Sequence, residues 1–407
     1  MLMKQNKAGK LAGDLIYTVL ATVIMNVVLQ IIIYPLITRF YGEDVIGGIL
    51  YFVGVIYIVP QALGAALHNT RLVARKNCDP TNSDYTHLLV ISSALSALIC
   101  GFVGFYEDSD PLFCVTYGVF SVLYFIRIYL QVEFRLTLEF KKYLLYYCLV
   151  SGGYLIGFGL YLLTGFWLLI FITGEVMALC YSAFRGTLFK NDGVSRNKSK
   201  ISKIFGMLLI STIVRDCVNQ FDKVILKLMI SAEVVTRYHV VSLIAKTMQM
   251  LVQPINTLIL SYLTVKDNVI SKKQLVKFTG IALGFGGLFY GVCIVGTPVF
   301  IKLFYHDLYD VVMPYNLIVN LGLILGFVAT LFMSILLAQE KTAVHMTIQC
   351  IWGIAYIISS YFAVLYFELW GIAIVTLIAN LLKLLVSIAA TFIFIKKQGV
   401  SESKDVS

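Results

Sequence analysis

Apolar runs of about twenty residues recur along the whole of this chain, with few charges inside them. That length matters because a helix of ~20 residues rises about 30 Å, the thickness of a bilayer's hydrocarbon core. In lipid every backbone N–H and C=O must be satisfied internally, so only helices and closed barrels can span. Barrel strands alternate apolar and polar residues over about ten positions. The runs here are longer and do not alternate, so the chain reads as an all-α integral membrane protein. Twelve spans are predicted, at 15–37, 45–67, 86–105, 112–132, 143–163, 166–184, 204–228, 234–263, 278–301, 313–338, 343–366 and 369–395. Composition agrees. Charged residues make up 13% of the 407 positions, against roughly 25% in soluble domains. That leaves too little polar surface to cover a water-facing exterior.

The connections between spans alternate in charge. One set is basic, with Lys4, Lys7, Lys10, Arg71, Arg75, Lys76, Arg135, Lys141, Lys142, Lys272, Lys273, Lys277, Lys396 and Lys397. The other is acidic, with Glu43, Asp44, Glu107, Asp108, Asp110, Asp307, Asp310 and Glu368. The positive-inside rule puts the basic set, and therefore both termini, in the cytoplasm. The net charge of +10 then reflects topology and not nucleic acid. The 8 cysteines show no paired spacing and several fall within apolar runs, so they read as buried small side chains and not as a disulfide or zinc framework. No cleavable signal peptide is visible at the first apolar run.

The longest hydrophilic stretch, 185–203, is strongly basic and divides the chain. The predicted organisation is an N-terminal six-helix lobe at 1–184, a cytoplasmic linker at 185–203, a C-terminal six-helix lobe at 204–395 and a tail at 396–407. Each half starts on the inside, so an internal repeat would be parallel. In both halves a Gln–Pro neighbourhood falls deep in the second helix, at Pro60-Gln61 and Gln253-Pro254. Pro60 and Pro254 are candidate hinges, since a proline there removes a backbone hydrogen bond and permits a bend.

Polar side chains inside the membrane are the informative feature, because each costs a few kcal/mol on insertion scales, about 2.5–3.5 for a charge at mid-bilayer. In the seventh span Arg215, Asp216, Asn219, Gln220, Asp222, Lys223 and Lys227 share an arc of roughly 160° at 100° per residue. The alternative for this face is internal salt bridging, Arg215 with Asp222 or Asp222 with Lys227. In the eighth span His239, Ser242, Lys246, Gln249, Gln253 and Asn256 follow helical spacing along one narrow stripe, which could also be polar glue between helices. The first span carries Asp14, Thr18, Thr22, Asn26 and Gln30. The fourth carries Tyr117, Ser121, Tyr124, Arg127, Gln131 and Arg135, and the twelfth adds Asn380 and Lys383. The intramembrane balance leans positive, which favours an anionic ligand. No phosphate-binding lysine loop, metalloprotease helix or nucleophile elbow is present, so ATP is not expected to drive the chain directly, and no cofactor or metal is expected.

Three stretches carry a family resemblance. They are Tyr34-Pro-Leu-Ile-Thr-Arg-Phe-Tyr-Gly42; Asp222-Lys-Val-Ile-Leu-Lys-Leu-Met-Ile-Ser231 with Tyr238 following; and Leu303-Phe-Tyr with Ser334-Ile-Leu-Leu-Ala-Gln-Glu-Lys341 and Leu369-Trp-Gly-Ile372. Together they resemble the bacterial polysaccharide-export flippases, the O-antigen repeat-unit translocases of the multidrug/oligosaccharidyl-lipid/polysaccharide superfamily. The resemblance implies two pseudo-symmetric six-helix lobes around a central cavity that opens alternately to the two membrane faces. It also implies a plasma-membrane location and a substrate of undecaprenyl pyrophosphate bearing a short oligosaccharide, with membrane lipid and the polysaccharide polymerase and export proteins as partners, and no nucleic acid. On that reading Arg215, Lys223, Lys227 and Lys246 attract the pyrophosphate, with Arg127 and Lys383 as second candidates. Gln249, Gln253, Asn26 and Gln30 meet the sugars. The alternatives are a cation-coupled drug exporter, for which Asp216, Asp222, Asp14 and Glu175 would be the acidic residues, and a non-transporting scaffold for glycan assembly.

Overall fold

The structure, a computed structural model, describes residues 2–77, 80–108, 110–185, 197–265, 272–339 and 341–394. Every regular element among them is helical. The chain divides into two compact units, Met1–Val224 and Ile225–Ser407, each considered by itself below. Residues 186–196, most of the predicted linker, and the tail from 395 lie outside the described residues.

In the first unit α1 (Leu2–Val27) passes through one π-helical turn at Val28–Ile33 into α2 (Tyr34–Tyr41). Gly42 then reverses the chain in a single residue, at φ +91°, a conformation a side chain would resist. That is the physical role of the glycine closing the first motif. α3 (Glu43–Ile56) follows directly, with Glu43 and Asp44 in its first turn, where acidic groups complement the helix dipole. The predicted span 45–67 is two helices: the chain turns at Tyr57–Ile58, and Pro60 stands in the first turn of α4 (Val59–Asn77). Proline is tolerated there because that N–H has no intrahelical acceptor. The expected position of Pro60 deep within a helix is therefore corrected. The break lies just before it.

α5 (Ser83–Glu107) and α6 (Pro111–Leu130) are joined by a short acidic turn in which Asp110 caps Leu112 N at 3.1 Å. α7 (Val132–Thr137) ends at Leu138, a non-glycine at φ +57°. α8 (Phe140–Thr164) and α9 (Leu168–Arg185) pack backbone to backbone. A Cβ on Gly153 would lie 2.5 Å from Gly174 Cα, and one on Gly157 would collide with Thr173 and the Leu169 carbonyl. Thr173 Oγ1 donates across the gap to Gly153 O at 2.7 Å. Small residues allow that approach, and close packing then replaces the absent hydrophobic drive between helices in lipid. α10 (Lys198–Met229) starts on this unit, with Ile201 and Phe205 joining a core of Leu63, Leu67, Tyr85, Phe125 and Tyr129.

The second unit holds α11 (Ala232–Val265), α12 (Lys272–Phe304), the short α13 (Tyr309–Val312), α14 (Asn316–Ala338) and α15 (Thr342–Phe394). α15 is two helices, parted at Glu368, whose φ +50° and ψ −128° are not helical. Its core gathers Leu275, Ala282, Cys293, Ile324, Phe327, Phe332 and Leu384. Among the described residues 9 segments are long and apolar enough to cross a membrane. Division of α15 at Glu368 adds a tenth. α10 and α11, at 32 and 34 residues, are long enough to span but carry the polar stripes. Together these account for the twelve predicted spans.

Candidate functional site

The polar ladder of α1 largely satisfies itself. Thr18 Oγ1 donates to Asp14 O at 2.9 Å, Thr22 Oγ1 to Thr18 O at 3.2 Å and Asn26 Nδ2 to Thr22 O at 2.8 Å. Each side chain thus bonds the carbonyl one turn behind it. Gln30 lies one turn further on, within the π-helical turn, where i→i+5 bonding re-aims the side chains that follow.

On α10 Arg215 does not make the pairing with Asp222 that the alternative reading of this face offered. Arg215 instead grips its neighbour Asp216 with two bonds, Nε to Oδ1 at 2.8 Å and Nη2 to Oδ2 at 3.2 Å. The fork geometry of guanidinium matches a carboxylate in this way. Asp222 is buried and accepts from the backbone N of Lys223 at 2.9 Å. The Lys223 ammonium lies 5.6 Å from the centre of the Tyr57 ring, and its stem packs against Gly54.

A deeply buried ion pair joins α6 to α9. Arg127 Nε stands 2.5 Å from Glu175 Oε2 on α9, with side chains only 2% and 0% exposed. Tyrosines enclose the pair. The guanidinium sits 4.7 Å from the Tyr124 ring centre and 6.0 Å from that of Tyr147. Tyr154 OH donates to Glu175 Oε1 at 3.1 Å and Tyr146 OH to Arg127 O at 3.4 Å. Tyr124 OH in turn donates to Gln61 Oε1 at 2.7 Å, and its ring meets Tyr57 at 5.4 Å. One continuous polar–aromatic chain therefore runs from Glu175 through Arg127, Tyr124 and Tyr57 to Lys223. The sequence reading selected Arg127 and Lys223 but not this enclosure. The signal available was one unexplained carboxylate, Glu175, in an apolar run.

In the second unit the α11 stripe separates into parts. Asn256 is helix glue: its Nδ2 donates to Thr330 Oγ1 and its Oδ1 accepts from Ser334 Oγ, both at 3.1 Å, on α14. His239 and Ser242 are buried. Lys246 is half-buried, with its ammonium 5.1 Å from the Tyr238 ring centre. Gln249 is exposed, and the side chains of Gln253 and Pro254 lie outside the described residues, although α11 continues through both. Lys227 is half-buried near the end of α10. Lys383, on the second arm of α15, lies 3.7 Å from the Trp352 ring centre on the first arm. No group of three or more metal-ligating side chains occurs among the described residues.

Arg127 and Arg215 are held by carboxylates, and Lys223, Lys246 and Lys383 each lie beside an aromatic face.

No protein-family model matches the chain, and no curated protein sequence matches it. Solved structures do. The lipid II flippase MurJ, in an inward closed conformation, superposes with a TM-score of 0.72 at 14% identity, covering 93% of this chain and 87% of MurJ. An inward-facing multidrug resistance transporter of the MATE family, MOP superfamily, gives 0.65 at 12% identity over 92% of this chain and 94% of its own. A MATE transporter in complex with MaD3S gives 0.64 at 12% identity over 93% and 94%. The chain thus has the helical membrane-transporter fold shared by these proteins.

Proposed function

We propose that this chain is a flippase that moves undecaprenyl-pyrophosphate-linked oligosaccharide across the bacterial plasma membrane by alternating access, for surface polysaccharide assembly. The observation that carries the reading is the set of lysines on aromatic faces. A lysine beside a ring gains about 0.5–2 kcal/mol, and its flexible stem and compact charge let it reach an anionic ligand. A pyrophosphate offers such a partner through charge-assisted bonds. The sugars would meet amides such as Gln249 and the hydroxyls beside them. The likeness to a lipid II flippase over nearly the full chain supports a lipid-linked substrate.

The likeness to MATE transporters favours a second reading, a drug exporter. Cationic drugs need available carboxylates, and of the four acidic residues named for that reading Glu175 and Asp216 are engaged by arginines, which leaves Asp14 and Asp222 to serve it. The two readings separate in cells that lack the gene but keep glycan synthesis. A flippase predicts that lipid-linked oligosaccharide accumulates on the cytoplasmic face. The intact gene should relieve this, and a Lys246→Glu copy present at equal protein level should not. Normal glycan orientation with altered drug sensitivity would favour the exporter and overturn the flippase.

A further inference from the structure

The two arms of α15 meet at buried polar groups that lack partners among the described residues. Lys383 is 7% exposed, yet no carboxylate pairs with it among the described residues, and its ammonium lies 3.7 Å from the Trp352 ring centre. A ring face answers one direction of an ammonium that has three donors. Around it are further unanswered groups. Trp352 Nε1, His345 Nδ1 and Ser387 Oγ are all buried without a hydrogen-bond partner among the described residues.

These residues fall on two facing stripes. His345 and Trp352 are seven apart on the first arm, two helical turns, and so share a face. Asn380, Lys383 and Ser387 follow at spacings of three and four on the second arm. The arms touch again where Tyr356 OH and Thr376 Oγ1 stand 3.4 Å apart. Lys341 precedes the first arm, and Lys383 meets that arm at Trp352, about three turns in.

We propose that the α15 hairpin holds an anion-binding subsite for a phosphate-type oxyanion. Lys383 supplies the charge, and Trp352 Nε1, His345 and Ser387 supply hydrogen-bonding groups. A buried ammonium needs a counter-charge or a dense set of acceptors, and a phosphate oxyanion would also satisfy the orphaned donors. The subsite lies within the second unit, and it deepens the flippase reading, on which its assignment to a lipid-borne headgroup rests.

The test uses the full chain in a phosphate-free maltoside micelle, with Trp167→Phe and Trp370→Phe leaving Trp352 as the one tryptophan of 3. The probes are radiolabelled inorganic pyrophosphate and farnesyl diphosphate, read by equilibrium dialysis and by Trp352 emission. Saturable binding of at least one probe is expected, weakened at least tenfold by Lys383→Met and largely retained by Lys383→Arg. Binding of farnesyl diphosphate alone would assign the subsite to a lipid-borne headgroup. Equal binding of both would assign it to the free oxyanion. Absence of saturable dialysis binding to a monodisperse helical protein would overturn the proposal, as would unchanged affinity in Lys383→Met. Neither result bears on glycan orientation in cells, so this failure and that of the flippase reading are told apart.

Discussion

Removal of one charge from the Arg127–Glu175 pair should damage the first unit more than removal of both. The two side chains are 2% and 0% exposed and 2.5 Å apart. With charge centres ~4 Å apart and an effective dielectric near 20, the Coulomb attraction is about 4 kcal/mol. Glu175→Gln forfeits that attraction and leaves a guanidinium without a counter-ion, for which truncation of buried pairs gives losses of about 3–5 kcal/mol. Tyr124, at 4.7 Å, still stabilises the guanidinium, so the lower half of that range is expected. For a unit of this size each kcal/mol moves the midpoint by about 2–4 °C, so the transition should fall by roughly 6–16 °C. The double variant Arg127→Met/Glu175→Gln removes both charges and keeps an acceptor for Tyr154 OH, which donates at 3.1 Å in the native protein. It should regain most of the loss, because replacing a buried pair by neutral groups is often neutral or better. Thermal unfolding of purified protein in one detergent, followed by circular dichroism and size-exclusion chromatography, measures all three. A single variant no worse than the double would refute the reasoning, since it would mean that the charge is solvated by something other than Glu175.

Gly153→Ala should destabilise by about 1–3 kcal/mol, as overpacking does, because its Cβ would lie 2.5 Å from Gly174 Cα; the midpoint in the same assay checks this. Leu138→Asn should stabilise by about 0.5–1 kcal/mol: the residue is 61% exposed and held at φ +57°, a conformation asparagine adopts more readily than leucine. A lowered midpoint there would show that Leu138 contributes packing its exposure conceals.

The spans were legible because their length and apolar content are set by the bilayer, whatever the helices pack against. The break at Glu368 fell between two predicted spans for the same reason: the acidic residue marks an interface. The break at Tyr57–Ile58 lies just before Pro60, the signal visible in the sequence, and a proline occurs as readily at a helix start as at a kink. Charge partners were less legible. Helical spacing suggested Asp222 for Arg215, but a long side chain can reach the adjacent Asp216, and periodicity has no term for that. Glu175 is 48 residues beyond Arg127 on another helix, so only packing could join them. The lysine–aromatic contacts were hidden for a different reason. With 25 tyrosines and 27 phenylalanines, no single ring stands out in the sequence.

The glycine contact between α8 and α9 has a mechanical consequence. Helices that meet through large side chains can slide by exchanging rotamers, but backbones in van der Waals contact have no such slack. Gly153 faces Gly174, and the Thr173 hydroxyl is bonded across the gap, so displacement by one residue would drive a side chain into a main chain. Glu175 follows Gly174 directly and faces Arg127. Whatever motion the first unit undergoes, α8 and α9 should travel as one stiff strut that carries Glu175 with them, and α6 must either follow or break its ion pair.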